Sequence, residues 1–225
     1  MSLRYFAEDL NFTEFGLFYL RYHSRLPIAA AIRGGAAGGP PVGPLNLGLS
    51  FYADAAGNTV NGDTRLVVEY PEDINLFGLS FNTTGPAGIA LQGEYSYRDN
   101  LPVPLASVEV LLAAIGFENQ AGIAGGLPAG TFIEGFDRVK THQVQMTATK
   151  AMGPQPVVGA SQWVLLGEAG YNFLELDRSL LYAGPGVDLP SCRNNANPLP
   201  ASILSQGDCA TTGYASRSSW GYRVV

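Results

Sequence analysis

The chain has 225 residues, 46% hydrophobic and only 14% charged, too apolar for a disordered chain and well short of the roughly 25% charged of an ordinary soluble domain. Lys+Arg 13 against Asp+Glu 19 gives a formal charge of −6 with no basic cluster, which leaves nucleic acid and anionic-membrane patches without a binding surface. The longest apolar run, Val108 to Phe117, is broken by Glu109 and Gly116 and is too short for a spanning helix of about 18 residues or more, so any membrane role must use strands.

In chain order, Met1 to Phe6 lacks the basic and apolar regions of a secretory signal, so the chain is cytoplasmic or its true beginning lies elsewhere. Leu3 to Phe6 reads as the tail of a strand. A turn at Ala7 to Asn11 leads to a strand from Thr13 to Tyr22, with Phe15, Leu17 and Tyr19 on one side. Gly34 to Pro41 lacks the Lys-Ser/Thr of a phosphate loop and reads as a loop tip.

From Asn75 to Arg98 the pattern is a period-2 hairpin. Phe77, Leu79 and Phe81 alternate with Gly78, Ser80 and Asn82; after a turn at Gly85 to Gly88, Leu91, Tyr95 and Tyr97 alternate with Gln92, Glu94, Ser96 and Arg98. Leu105 to Phe117 carries Val108, Leu111, Leu112 and Ile115 at helical spacing, a short amphipathic helix inside a long loop. It is expected either to fold into a barrel mouth as a hatch or to pack on neighbouring loops.

A second hairpin runs from Val139 to Phe173, turning at Gly153 to Pro156, with Val144 and Met146 on one face and Gln143 and Gln145 on the other. Its returning strand repeats the first hairpin's pattern: Leu165-Leu166-Gly167-Glu168 with Tyr171 parallels Leu91-Gln92-Gly93-Glu94 with Tyr97. That repeat is expected to set Glu94 and Glu168 at one height on the polar face. Cys192 and Cys209 share a loop segment without His neighbours, reading better as a disulfide than as a zinc site. Ser219 to Val225 begins another strand.

Short connections alternate with long ones of roughly 40–50 residues, well past the 12–15 usual for a structureless loop. Outer-membrane barrels show that asymmetry, with short periplasmic turns and long extracellular loops. The expected fold is therefore all-β, an antiparallel transmembrane β-barrel segment. It is a single unit over residues 1–225, a curved open sheet of about seven strands with one short loop helix. Since single-chain bacterial barrels have an even number of at least about eight strands, the segment is expected to be part of a larger barrel. Aromatics near both strand ends, Tyr19, Tyr22, Tyr95, Tyr97, Tyr171 and Phe173 at one and Phe81 and Trp163 at the other, fit two interfacial girdles.

Thr13-Glu14-Phe15-Gly16-Leu17, Tyr22-His23-Ser24-Arg25-Leu26-Pro27, Tyr70-Pro71-Glu72-Asp73-Ile74 with Leu76 to Thr83, Gly159-Ala160-Ser161-Gln162 and Ser219-Trp220-Gly221-Tyr222-Arg223 resemble the domain-of-unknown-function 1302 family of Gram-negative bacteria. The resemblance implies an exported outer-membrane protein longer than this chain. It also implies envelope partners, a lipoprotein-like protein or a hydrophobe exporter, and traffic in small hydrophobic or lipid-like molecules.

On the barrel reading, Gln92, Glu94, Arg98, Gln143, Gln145 and Glu168 face the lumen. They form either a polar constriction that selects cargo or a paired charge-and-amide network that fills the barrel. His23, Ser24, His142 and Asp137 could be drawn as a hydrolase constellation, but no nucleophile elbow or fixed spacing supports it. The expectation is a non-enzymatic channel or transporter in contact with outer-membrane lipid, without cofactor or metal. A structural or adhesive surface barrel acting through its long loops is the rival reading, and a barrel hydrolase a weaker one.

Overall fold

The computed structural model describes residues 1–33, 50–53, 59–62, 64–114, 127–128, 130–154, 159, 161–184 and 215–225. Along the chain its strands are β1 (Ser2–Ala7), β2 (Thr13–Tyr22), β3 (Ile28–Ile32), β4 (Ser50–Ala53), β5 (Thr59–Gly62), β6 (Arg65–Glu69), β7 (Ile74–Thr84) and β8 (Ala90–Pro104). Helix α1 (Ser107–Ala114) follows, then β9 (Phe132–Ile133), β10 (Phe136–Met152), β11 (Trp163–Leu174) and β12 (Ser218–Val224). Among the described residues the fold is all-β apart from this helix and one 3₁₀ turn.

Seven strands make the main sheet in the order β1-β2-β7-β8-β10-β11-β12, antiparallel at every junction. β1 and β12 are its edges, and the sheet is open. Both hairpins expected from the alternation are present, as β7–β8 and β10–β11. The first turns tightly: the Gly85 amide donates to the Ile89 carbonyl at 2.7 Å, with Ala87 and Gly88 at φ of 57° and 70°. The tail at Leu3 pairs with β2, and Trp220 to Val224 pair along β11.

The long connections carry more structure than the one helix expected in them: β3, β6 and β9 form a three-stranded sheet, β4 and β5 a two-stranded one, and α1 packs against β3 and β9. Ala31, Val110, Ala113, Ala114 and Ile133 join Val103, Leu105, Val139, Leu176 and Tyr182 in one buried cluster. Segments from all three long connections therefore share a core, here called the cap. The apolar area it buries is its main stabilisation.

Of the expected stretch the described residues carry helix from Ser107 to Ala114, whose buried apolar side is Val110, Ala113 and Ala114, while Leu111 is half-buried. The side chains of Val108 and Leu112, the residue Ile115 and both Cys192 and Cys209 lie outside the described residues.

β8 and β10 run past the ends the alternation marks, to Pro104 and Phe136, because β8 is bulged. Arg98 pairs with Thr141 but Leu101 with Val139, three residues against two. An extra residue reverses which side chains share a face. Leu101, Val103 and Leu105 thus come round to the side of Val139, and the cap settles over the polar face of the sheet at its far end.

Candidate functional site

Because side chains alternate along a strand, the pairing register assigns every residue of the main sheet to a face. One row crosses all seven strands: Leu3, Leu17, Leu79, Tyr95, Val144, Tyr171 and Trp220. The next row towards the short turns is Tyr5, Phe15, Phe81, Gly93, Met146, Ala169 and Tyr222. Nearly all of this apolar face lies open: Leu79 is 53% exposed, Met146 49% and Trp220 75%. A groove of about 420 Å³ lies in it, between Leu17, Leu79, Phe81, Tyr95, Val144 and Met146.

At the cap end this face closes on a ladder of rings. Tyr19, Phe77, Tyr97, His142 and Phe173 stack strand to strand, with centroids 4.9, 6.4, 5.0 and 6.2 Å apart. Offset and tilted ring pairs at such separations attract beyond their area burial. The His142 Nδ1 bonds the Tyr95 hydroxyl at 2.8 Å, and its Nε2 lies 3.6 Å from Glu175. Tyr22, expected in the same belt, is on the opposite face, where its hydroxyl accepts from the Arg98 Nε at 3.3 Å.

The opposite face carries the six residues expected to line a lumen. Glu94 stands between Ser80 and Gln145, Gln92 between Asn82 and Thr147, and Gln143 between Ser96 and Asn172. Arg98 pairs with Leu76 and Thr141. Glu168 pairs with Thr147 and Arg223, so it shares the row of Gln92 rather than that of Glu94. The equal height drawn from the sequence repeat fails by one row, because β8 meets Gln145 of β10 through Glu94 while β11 meets Thr147 through Glu168. Arg4 and Glu14 form an ion pair at 3.2 Å beside these groups, and Arg4, Glu14, Asn82, Gln92, Glu94 and Thr147 border a second groove of about 390 Å³.

The drawn hydrolase set is dispersed. His23 accepts the Asp73 amide through Nδ1 at 3.1 Å, Ser24 bonds its own turn at Leu26, and His142 sits in the aromatic ladder. Asp137 accepts from the Tyr182 hydroxyl at 2.7 Å within the cap junction. Among the described residues, no three His, Cys, Asp or Glu side chains gather as metal ligands.

Three features had no signal in the sequence. The Arg21 guanidinium lies 2.8 Å from Asp73 and holds that carboxyl below its ordinary range, chiefly through their hydrogen bond. Burial, helped by the bond to Asp137, pushes the Tyr182 hydroxyl well above the usual tyrosine value. Arg33 is buried to 3% exposure and donates to the Ala113 carbonyl at the end of α1, the helix terminus where a cation is favoured. Each arises from contacts distant in sequence, which no local pattern announces.

Compared with known proteins, the chain matches over residues 1–225 the family described as protein of unknown function DUF1302, and it belongs to that family. No curated protein and no solved structure matches it.

Proposed function

We propose that the seven-stranded sheet forms part of the wall of an outer-membrane β-barrel, its apolar face against lipid and its polar face towards a water-filled interior, and that the barrel passes small molecules across that membrane. The carrying observation is the continuous, exposed apolar face, bounded at the cap end by the aromatic ladder. Patches of this extent are rare on monomeric soluble proteins, and a ring of aromatics at the edge of an apolar band is the mark of a barrel at the lipid–water interface.

Dimensions agree with this reading. Ten steps of β10 from His142 to Met152, at about 3.3 Å each and tilted by about 40°, cover roughly 25 Å, the height of an outer-membrane apolar band. Lys150 falls within that stretch, but its ammonium turns out to the Ala87 carbonyl of the β7–β8 turn, as long cationic side chains do near an interface. The cap, over the polar face, would then stand at the outer mouth.

The cargo class carried over from the family resemblance is small hydrophobic or lipid-like molecules. The polar lining of Gln92, Glu94, Gln143, Gln145 and Glu168 supports solutes with hydrogen-bonding groups better than bare hydrocarbon. Uptake of alkanes, fatty acids and small polar solutes by cells with and without the gene separates the two. The membrane placement is tested by a pair of neighbours: Leu79→Arg puts a charge in lipid at a cost of about 2–4 kcal/mol, whereas Ser80→Arg faces water. Leu79→Arg is expected to abolish membrane assembly and Ser80→Arg to leave it intact; equal effects would end the proposal.

A further inference from the structure

One charge in the polar groove has no partner. On that face one row runs through Arg4, Gly16, Ser80, Glu94 and Gln145, and the next row towards the short turns through Glu14, Asn82, Gln92 and Thr147. These residues border the groove of about 390 Å³, within the roughly 300–1,000 Å³ of small-molecule sites. Arg4 is held by Glu14 at 3.2 Å. Arg98 stands farther along β8, roughly 13 Å from Glu94 at about 3.3 Å per residue, and is turned to the Tyr22 hydroxyl. Among the described residues no cation pairs with Glu94.

The other groups are neutral. Ser80, Asn82, Gln92, Gln145 and Thr147 make no side-chain hydrogen bond among the described residues, so each is open to donate to a guest and to accept from it. Gly16 keeps room for one of them, because a Cβ there would overlap the Ser80 hydroxyl.

This chemistry selects among guests. An apolar molecule would strip water from these groups and return no bonds. An anion would meet Glu94, while the cation that could hold it, Arg4, is already neutralised. A metal ion needs a gathered set of ligands, and no three His, Cys, Asp or Glu side chains gather among the described residues. One carboxylate set among hydroxyls and amides is complemented by an ammonium-type group on a hydroxylated molecule.

Resting on the barrel reading above, we propose that this groove is a binding site on the inner wall for a small organic cation that carries hydroxyl groups. Glu94 takes the cationic group, and the amides and hydroxyls beside it take the hydroxyls of the guest.

The test uses the protein folded in detergent micelles near neutral pH, titrated with serinol, in which an ammonium replaces the central hydroxyl of glycerol. Glycerol and glycerate serve as the neutral and anionic counterparts, and binding is read by saturation-transfer NMR. Serinol is expected to bind at least about tenfold more tightly than glycerol, the low end for one hydrogen bond to a charged group. Glu94→Gln should erase that difference and leave glycerol binding as it was. Ser80→Arg, which sets a guanidinium next to Glu94, should erase it too. Glu134→Gln removes the same charge from an exposed position in the cap and should change nothing.

No binding of serinol, equal binding of serinol and glycerol, tighter binding of glycerate, a preference that survives Glu94→Gln, or one lost equally in Glu134→Gln would each overturn the proposal. Membrane assembly of the Leu79→Arg and Ser80→Arg pair reports the barrel reading separately: a serinol preference that is absent while that pair still differs overturns this inference alone.

Discussion

Gly78 lies buried beneath a half-buried Phe18 on the polar face, and a Cβ added there would overlap the Phe18 ring. Only glycine leaves the ring in place, so Gly78→Val is expected to destabilise the sheet by about 1–3 kcal/mol, the range for overpacking. Adding Phe18→Ala should return most of that loss, as read from urea midpoints in lipid vesicles; no recovery would mean the ring is not the obstacle. Tyr182 makes a different kind of single-residue claim. Its hydroxyl donates to Asp137 and accepts from the Asp177 amide at 3.0 Å, and its acidity is suppressed first by burial and then by Asp137. A folded-state value raised above the unfolded value of about 10 gives stability that is complete below that pH and is lost as pH rises towards the folded value. This contribution to the cap should therefore be lost only in strong alkali, with Tyr182 ionising above the usual tyrosine range in the ultraviolet band of tyrosinate. Tyr182→Phe should remove that alkaline dependence and cost about 1–3 kcal/mol at neutral pH, because Asp137 loses its donor.

The turn of the β7–β8 hairpin places Ala87 at a φ of 57°, a region that costs a residue with a Cβ roughly 1–2 kcal/mol. Ala87→Gly relieves that strain but frees the unfolded chain, so a net gain of up to about 1 kcal/mol is expected, measured as a higher urea midpoint. This hairpin and its β10–β11 counterpart were legible in the sequence because alternation of period two survives wherever one face is apolar and the other polar. The ends of β8 and β10 were not. The apolar side chains keep odd positions from Tyr95 and Tyr97 on to Leu101, Val103 and Leu105, while the bulge at Asp99 and Asn100 turns the later ones to the other face. The period is unbroken there, so nothing in the pattern announced the bulge. The cap strands were hidden for another reason: β3 reads Ile-Ala-Ala-Ala-Ile and β9 has two residues, too short or too uniform to show a period. Tertiary packing on Val110, Val139 and Tyr182 makes them strands. The six polar residues share one face of the sheet, but their rows depend on the pairing of β8 and β11 with β10, which the sequence repeat does not encode.

Both tryptophans of the molecule, Trp163 and Trp220, belong to the apolar face: Trp163 pairs with Met152 near the short turns, and Trp220 lies in the row of Leu79 and Val144. They are 41% and 75% exposed, so tryptophan fluorescence reports what covers this face and nothing else. If the sheet is a lipid-facing wall, its two ends sit at different depths. Trp220 lies two rows on the cap side of Ala148 and Gly167, past Tyr222, and one row short of the aromatic ladder at His142 and Phe173, which puts it inside the band, whereas Trp163 stands at the turn-side rim where aromatic girdles gather. In vesicles, bromine carried deep on the acyl chains should therefore quench Trp220 in a Trp163→Phe variant more than it quenches Trp163 in a Trp220→Phe variant. Bromine placed near the headgroups should reverse that order. An aqueous quencher such as iodide should reach neither as readily as it reaches free indole. Equal quenching at every depth, or ready access for iodide to Trp220, would mean that water or protein covers the face, and the long apolar rows would then need a partner surface other than lipid.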